Sequence, residues 1–292
     1  MAENSELEKK YLSLIRGLDG ESISIVNRIL LRQSQYLSSD LERIDLFTIN
    51  EQDELRRIDD LFSKEIVRIT DELYAYRQYR LPINHFEPVV FYHKYCLNEL
   101  ADIERLKGKT IIDAGGFIGD TALIFSELSP DRIISFEPMK ENIELFHKTM
   151  QLNYLTNVTL EQKALGAEPG VVTMYYAGEG STSYPRNEDR RFYSEPYEVP
   201  VVTLDEYVRE NELKVGLVKM DIEGSESDCL KGAKRLIAEQ RPILLICIYH
   251  NKNDFFGIKT MLEDWGIDYN FKIRKPTVSN ATYETMLIAE PK

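Results

Sequence analysis

The sequence predicts an α/β protein built on an open, mostly parallel sheet, with an all-helical extension in front of it. Three observations carry the prediction. Strand-like and helix-like patterns alternate from about residue 108 to the end; a glycine-rich turn follows the first of those strands; and residues 1–80 contain no proline and only Gly17 and Gly20 as breakers. The turn lies in Thr110-Ile111-Ile112-Asp113-Ala114-Gly115-Gly116-Phe117-Ile118-Gly119-Asp120-Thr121. A β-branched run enters the glycines and a helical pattern leaves near Asp120, the order of a strand, a tight loop and a helix N-terminus. Glycine lets the backbone approach a ligand at such a turn.

In the extension, Gly17 and Gly20 separate two helices, the second carrying Ile23, Val26, Ile29 and Leu30 at helical spacing. Thr48-Ile49-Asn50-Glu51 is a capping box that starts a third. Leu55, Ile58, Phe62, Ile66, Ile69, Leu73 and Tyr76 continue it at alternating spacings of three and four. The seven-residue repeat Leu55, Phe62, Ile69, Tyr76 makes this helix a candidate homodimer interface, and packing on the chain's own sheet is the alternative. The boundary falls at Leu81-Pro82, so the expected domains are 1–80 and 81–292.

The remaining strands are expected at Arg132–Pro138, Val158–Gly166, Gly216–Asp221 and Pro242–Tyr249, with a closing hairpin at Tyr269–Arg274 and Thr285–Ala289. Pro242–Tyr249 is apolar on both faces, as an interior parallel strand should be. Thr203-x-x-Glu206 caps a short helix.

Composition sets limits on function. A net charge of −13 argues against nucleic acid as a substrate, which calls for a basic face. No apolar run is long enough to span a bilayer, and the polar stretch Met1–Lys10 reads as neither signal peptide nor anchor. Cys96, Cys229 and Cys247 are widely spaced and odd in number, as expected of reduced thiols in a cytoplasmic protein.

The carboxyl ends of the strands, where an open α/β sheet binds its ligand, carry Asp113, Glu137, Lys163, Asp221 and His250. Glu137 follows Asp113 by 24 residues, the distance at which an acid ending the next strand grips both hydroxyls of a ribose. A glycine turn with a strand-terminal acid points to an adenosine cofactor, either a nicotinamide dinucleotide or S-adenosylmethionine. Phe117 occupies the place of the second glycine in a dinucleotide fingerprint, which weakens the case for a pyrophosphate and for a nicotinamide-dependent oxidoreductase. A non-catalytic cofactor-binding protein remains the alternative from another class.

The blocks Ile112–Thr121, Phe136-Glu137-Pro138, Leu217-Val218-Lys219-Met220-Asp221-Ile222-Glu223-Gly224-Ser225-Glu226, Ile248-Tyr249-His250 and Tyr283-Glu284-Thr285-Met286-Leu287 together resemble the FkbM-type S-adenosylmethionine-dependent methyltransferases, over roughly Phe86 to Lys292. The departure is Gly116-Phe117, where that family usually has Ala-Asn. The resemblance implies a Rossmann-like class I methyltransferase sheet of seven strands, mostly parallel, with one antiparallel hairpin strand. It implies O-methylation of hydroxyls on sugars, sugar nucleotides or natural products, in settings such as bacterial surface-polysaccharide assembly. It places Asp113, Gly115, Gly119 and Thr121 at the methionine end of the cofactor, Glu137 at the ribose, and Asn142 and Lys163-Ala164 near the adenine. Phe117, Asp120, Pro138 and Asp221 complete the expected cofactor-binding set.

Methyl transfer is an in-line displacement, so much of the catalysis is alignment of hydroxyl, methyl and sulfur. The hydroxyl proton needs an acceptor, and His250 at the end of the fifth strand is the expected base, with Asp221 at the end of the fourth. Asp221 and His250 also form a candidate ligand pair for a divalent metal ion that would acidify the hydroxyl. Lys219 is expected to pair with Asp221 or Glu226. Gly178–Tyr197, with Tyr184, Arg186, Arg190, Arg191, Phe192 and Tyr193, is the expected substrate lid.

Overall fold

The computed structural model describes residues 2–38, 46–175 and 195–292. The expected lid residues Tyr184, Arg186, Arg190, Arg191, Phe192 and Tyr193 lie outside the described residues.

In chain order the helices α1 (Ala2–Ile15), α2 (Gly20–Ser38) and α3 (Ile49–Arg57) come first. The strands β1 (Val67–Thr70), β2 (Leu73–Tyr76) and β3 (Tyr79–Leu81) follow, then the short helix α4 (Pro88–Phe91). The central run is β4 (Thr110–Ala114), α5 (Asp120–Ser126), β5 (Arg132–Phe136), α6 (Lys140–Leu152) and β6 (Val158–Glu161). After it come β7 (Ala164–Leu165), β8 (Gly170–Met174), β9 (Tyr197–Val202), α7 (Leu204–Glu210), β10 (Val215–Met220), α8 (Glu226–Lys231) and α9 (Lys234–Gln240). The chain closes with β11 (Ile243–Cys247), α10 (Lys252–Asp264), β12 (Tyr269–Arg274) and β13 (Met286–Pro291).

Seven strands form one mixed sheet in the order β12-β13-β11-β10-β4-β5-β6. The pairs β10-β4, β4-β5 and β5-β6 are parallel, and β12-β13 is the antiparallel hairpin. This is the α/β Rossmann-like sheet that the alternating pattern predicts. The run of wholly buried residues in β4, β10 and β11 is what parallel strands covered on both faces require.

The chain divides into two compact units, one of Met1–Glu65, Glu87–Glu99 and Leu245–Lys292, the other of Ile66–Phe86 and Leu100–Leu244. In the first, the N-terminal helices pack on the chain's own elements. Buried Lys259 of α10 donates to the carbonyls of Arg16 (2.7 Å) and Ser13 (3.5 Å), satisfying acceptors at and just beyond the end of α1. The Ser22 hydroxyl of α2 accepts from the Ile273 N–H of β12 (2.8 Å) and returns a bond to its carbonyl (3.2 Å). Arg274 beside it reaches Asp19 (2.9 Å), Glu21 (3.4 Å) and Glu99 (2.8 Å). The Arg274 guanidinium, bonded to the Asp19 carboxylate, holds Asp19 far below the usual carboxylate range, against an opposing push from burial.

The expected continuous helix to residue 80 is corrected. Helix α3 stops at Arg57, Ile58–Phe62 forms one wide turn, and β1, β2 and β3 make an antiparallel meander in the second unit. The spacing of three and four is present, but Ile66-Val67-Arg68-Ile69-Thr70 is rich in β-branched residues, and Arg77 takes φ 51 to turn β2 into β3. The meander also finds partners. Gln78 donates to Glu127 (3.0 Å), the Tyr79 hydroxyl bonds the same carboxylate, and Asn153 bridges the backbone of Arg80 (3.0 and 2.7 Å). Of the seven-residue repeat, only Leu55 is therefore on α3, while Ile69 is exposed on β1 and Tyr76 is buried on β2. The helical stripe that argued for a dimer is not formed.

Candidate active site

The site is built on a row of three residues across three strands of the second unit. In register, Lys219 of β10 stands opposite Asp113 of β4, and Asp113 opposite Ser135 of β5. Adjacent residues in such a row share a face of the sheet. The Lys219 ammonium lies 3.2 Å from one Asp113 oxygen and donates to the Gly115 carbonyl at 2.6 Å. The other Asp113 oxygen accepts from Ser135 (3.1 Å) and from the Thr121 hydroxyl of α5 (2.8 Å). Asp113 is fully enclosed and Lys219 almost so. A buried ion pair holds only when its partners are also hydrogen-bonded, and this one is. Lys219 thus pairs with Asp113, a partner that the sequence reading did not consider. Asp113 and Thr121 face this network, and through Lys219 it fixes the glycine turn.

The turn itself is pinned from both sides. The N–H groups of Gly115 and Gly116 both donate to the Phe136 carbonyl at 3.0 Å, and Gly119 donates to Gly116 at 2.7 Å. Gly115 has φ +83, and a Cβ there would lie 1.9 Å from the Asp221 carbonyl oxygen, so the loop after β10 closes against it and excludes any side chain. Asp221, half-buried, donates its N–H to Ala114 (3.1 Å), and Glu223 and Gly224 then turn the chain with φ 55 and 97. Buried Glu226 opens α8 and accepts the Ile222 N–H at 2.9 Å.

Glu137 ends β5 where the spacing put it. One carboxylate oxygen accepts from the Phe117 N–H (2.9 Å), the other from the Met139 N–H (2.8 Å) and the Asn142 amide (3.2 Å). Burial pushes its pKa up to about 7, even though these donors favour the charged form. Phe117 holds φ 43, a strained value for a non-glycine residue, and its ring meets His85 edge-on at 4.9 Å. Asp120 is buried beside Thr121, its pKa raised by desolvation against the charges of His85 and Lys219. The small sheet β7-β9-β8 steadies the far side. Met139 packs on Met174 and Val199, and the Tyr197 hydroxyl accepts the Lys140 N–H at 2.7 Å.

Asn142 serves Glu137 directly, and Pro138 is half-buried beside it. Lys163, just before Ala164 of β7, pairs instead with Glu161 (2.6 Å) and lies over the Tyr207 ring. His250, in the first unit, follows β11 with its ring 4.2 Å from that of Tyr249. The reading missed Ser135 and the role of Lys219. A lysine inside an apolar interior strand was the available signal, because a buried ammonium demands a buried acid.

The donor set suits an adenosine cofactor. A carboxylate fixed by three donors at a strand end keeps acceptor capacity for a diol, and the glycine turn beside it admits no side chain at Gly115. The fold is that of a class I methyltransferase.

Comparison with known proteins places the chain further. Residues 113–272, over half of it, match the family model described as the methyltransferase FkbM domain. The chain belongs to that family of S-adenosylmethionine-dependent methyltransferases. It is 27% identical to "Methyltransferase 1" of Beauveria bassiana (strain ARSEF 2860) over 225 residues, covering 69% of this chain and 88% of that one. The solved structure of a methyltransferase FkbM from Methylobacillus flagellatus KT aligns with 99% of the chain at a TM-score of 0.63 and 18% identity. The chain spans 60% of that protein's length. No helix among the described residues is long and apolar enough to cross a membrane.

Proposed function

We propose that the chain transfers the methyl group of S-adenosylmethionine to a hydroxyl of a sugar or sugar nucleotide, as in surface-polysaccharide or natural-product assembly. The observation that carries the cofactor half of this reading is Glu137, held in one orientation by Phe117, Met139 and Asn142, as a ribose diol requires. When bound, the cofactor supplies an electrophilic methyl on a sulfonium that leaves as a neutral thioether. The turn from Gly115 to Gly119 would hold its amino-acid end, and Glu137 would accept from the ribose. Asn142 and Lys163-Ala164 would lie near the adenine.

For the acceptor, His250 takes the hydroxyl proton as the O–C bond forms and the C–S bond breaks. Asp221 supports the acceptor from the end of β10. Both assignments draw on position: each residue follows the carboxyl end of a buried interior strand. Carboxylate and imidazole would equally suit a divalent ion, which would lower the pKa of the hydroxyl.

The test is a mass-spectrometric screen of sugar nucleotides with S-adenosylmethionine, run with added divalent metals and with excess EDTA, beside calorimetry with S-adenosylhomocysteine and NAD. A +14 Da product, tight S-adenosylhomocysteine and no NAD binding are expected. NAD binding without S-adenosylhomocysteine binding would overturn the reading. His250→Asn should lower kcat about 10²–10⁴-fold with cofactor affinity unchanged, and full turnover in EDTA would remove the metal route.

A further inference from the structure

Two tyrosine rings are stacked at the carboxyl end of β11. Tyr249, two residues past the strand, lies against Tyr283 with ring centroids 5.4 Å apart and planes 22° apart. The His250 ring sits 4.2 Å from that of Tyr249 on the same turn. Tyr283 remains 55% exposed, which is much for a ring already stacked on one side.

This placement is built by the chain around it. The Asn280 side-chain oxygen accepts the N–H groups of Thr282 (2.9 Å) and Tyr283 (3.1 Å), fixing the turn that presents the ring. Glu284 then takes φ 62, an unfavourable left-handed backbone for a residue with a side chain. The Thr285 carbonyl closes the link by accepting the Ile248 N–H at 2.9 Å, just before Tyr249. The loop after β11 and the loop before β13 are thereby tied together, each delivering one ring of the stack. Strain kept next to an exposed aromatic ring, at the ligand-binding end of a sheet, is the kind of outlier that marks a binding surface.

We propose that the Tyr249–Tyr283 stack is the acceptor platform and takes the C–H face of a neutral pyranose ring against the exposed face of Tyr283. A tyrosine face offers apolar area with little conformational entropy to lose, and the sugar's hydroxyls stay free at the edge of the ring to meet polar groups. The exposed Asn280 on the same turn supplies an amide for such hydroxyls. The inference rests on the reading of His250 as the group that faces the acceptor, and it adds the surface that holds the sugar beside it.

The experiment is saturation-transfer NMR on the full chain in the presence of S-adenosylhomocysteine, with the methyl glycosides of glucose, galactose, mannose and N-acetylglucosamine as probes. The wild type should saturate the ring C–H protons of at least one glycoside. Tyr283→Ala should cut that signal by about fivefold or more, and Tyr283→Phe and Tyr283→Trp should keep it. Calorimetry with S-adenosylhomocysteine on the same samples should give one affinity for all four proteins, showing that Tyr283→Ala is folded. The platform is overturned if the wild type saturates no glycoside, or if Tyr283→Ala saturates it as strongly as wild type. Loss of S-adenosylhomocysteine binding in the wild type would instead count against the methyltransferase reading, with the glycoside signal still deciding the platform.

Discussion

Around Asp113 the polar groups are enclosed and bonded to one another, whereas Tyr283 keeps more than half of its surface exposed beside the part-buried Tyr249. The first region fixes a backbone. Lys219, Ser135 and Thr121 hold one carboxylate, and that carboxylate and its lysine hold the glycine turn. The second fixes a surface, with one strained residue and one Asn-capped turn setting a ring in place. In a buried, mutually bonded network the loss of any one member leaves the others without a partner. An exposed ring is replaced at little cost in stability, because surface side chains away from packed features contribute little to it. The two regions should therefore respond to substitution in opposite currencies, stability for one and acceptor binding for the other.

The sharpest way to break this contrast is Asp113→Asn. It leaves the Lys219 ammonium buried without its counter-charge, and removing one partner of a buried pair costs about 3–5 kcal/mol. Urea unfolding should show that loss, and Asp113→Asn with Lys219→Met should be less destabilised than the sum of the single changes. A loss below about 1 kcal/mol for Asp113→Asn would mean the row is not the scaffold of the turn.

Glu137 lies between the two behaviours, since it is buried like Asp113 but is proposed to serve a ligand. Glu137→Gln removes the charge from a hydrogen-bonded acceptor, and S-adenosylhomocysteine should bind about 10–100-fold more weakly by calorimetry. Its pKa is raised from 4.5 to about 7, so folding favours the protonated form. The contribution to stability is full below the unfolded value of 4.5 and is lost as pH rises through about 7. The ribose hydroxyls donate to the ionised form, so cofactor affinity should rise over the window in which stability of the free protein falls. Glu137→Gln should flatten both profiles, and a wild-type affinity independent of pH between about 5 and 8 would separate Glu137 from the ribose.

What could be read in advance follows from how local each signal is. The Asp113–Gly119 turn and the acid 24 residues later are local patterns, and both stand where the spacing put them. The buried strands β4, β10 and β11 announced themselves as apolar runs. The capping box at Thr48 and the N-cap at Thr203 were legible because a cap involves neighbours three residues apart. Lys219 with Asp113 was not legible, because it joins residues over a hundred positions apart through strand register. The meander at Val67–Leu81 failed for a related reason. Its apolar spacing fits a helix and a strand equally, and contacts with Glu127 and Asn153 decided between them. Tyr283 with Tyr249 again depends on two loops that only the fold brings together.

The smallest effect tests whether the contrast is confined to the two regions. Thr48 accepts the Glu51 N–H at 3.3 Å, and Glu51 accepts the Thr48 N–H at 2.7 Å while also pairing with buried Arg32. Thr48→Ala removes one of these acceptors and frees an N–H at the start of α3, a change worth about 1 kcal/mol. Glu51 keeps its ion pair with Arg32, so the loss should stay near that figure rather than spread through the unit. Thermal unfolding should fall by a few degrees, roughly 2–4 °C for a chain of this size, with S-adenosylhomocysteine affinity within about twofold of wild type. A change in cofactor affinity as large as that of Glu137→Gln would show that α3 is coupled to the glycine turn, and the division between a stability region and a binding region would then have to include the N-terminal helices.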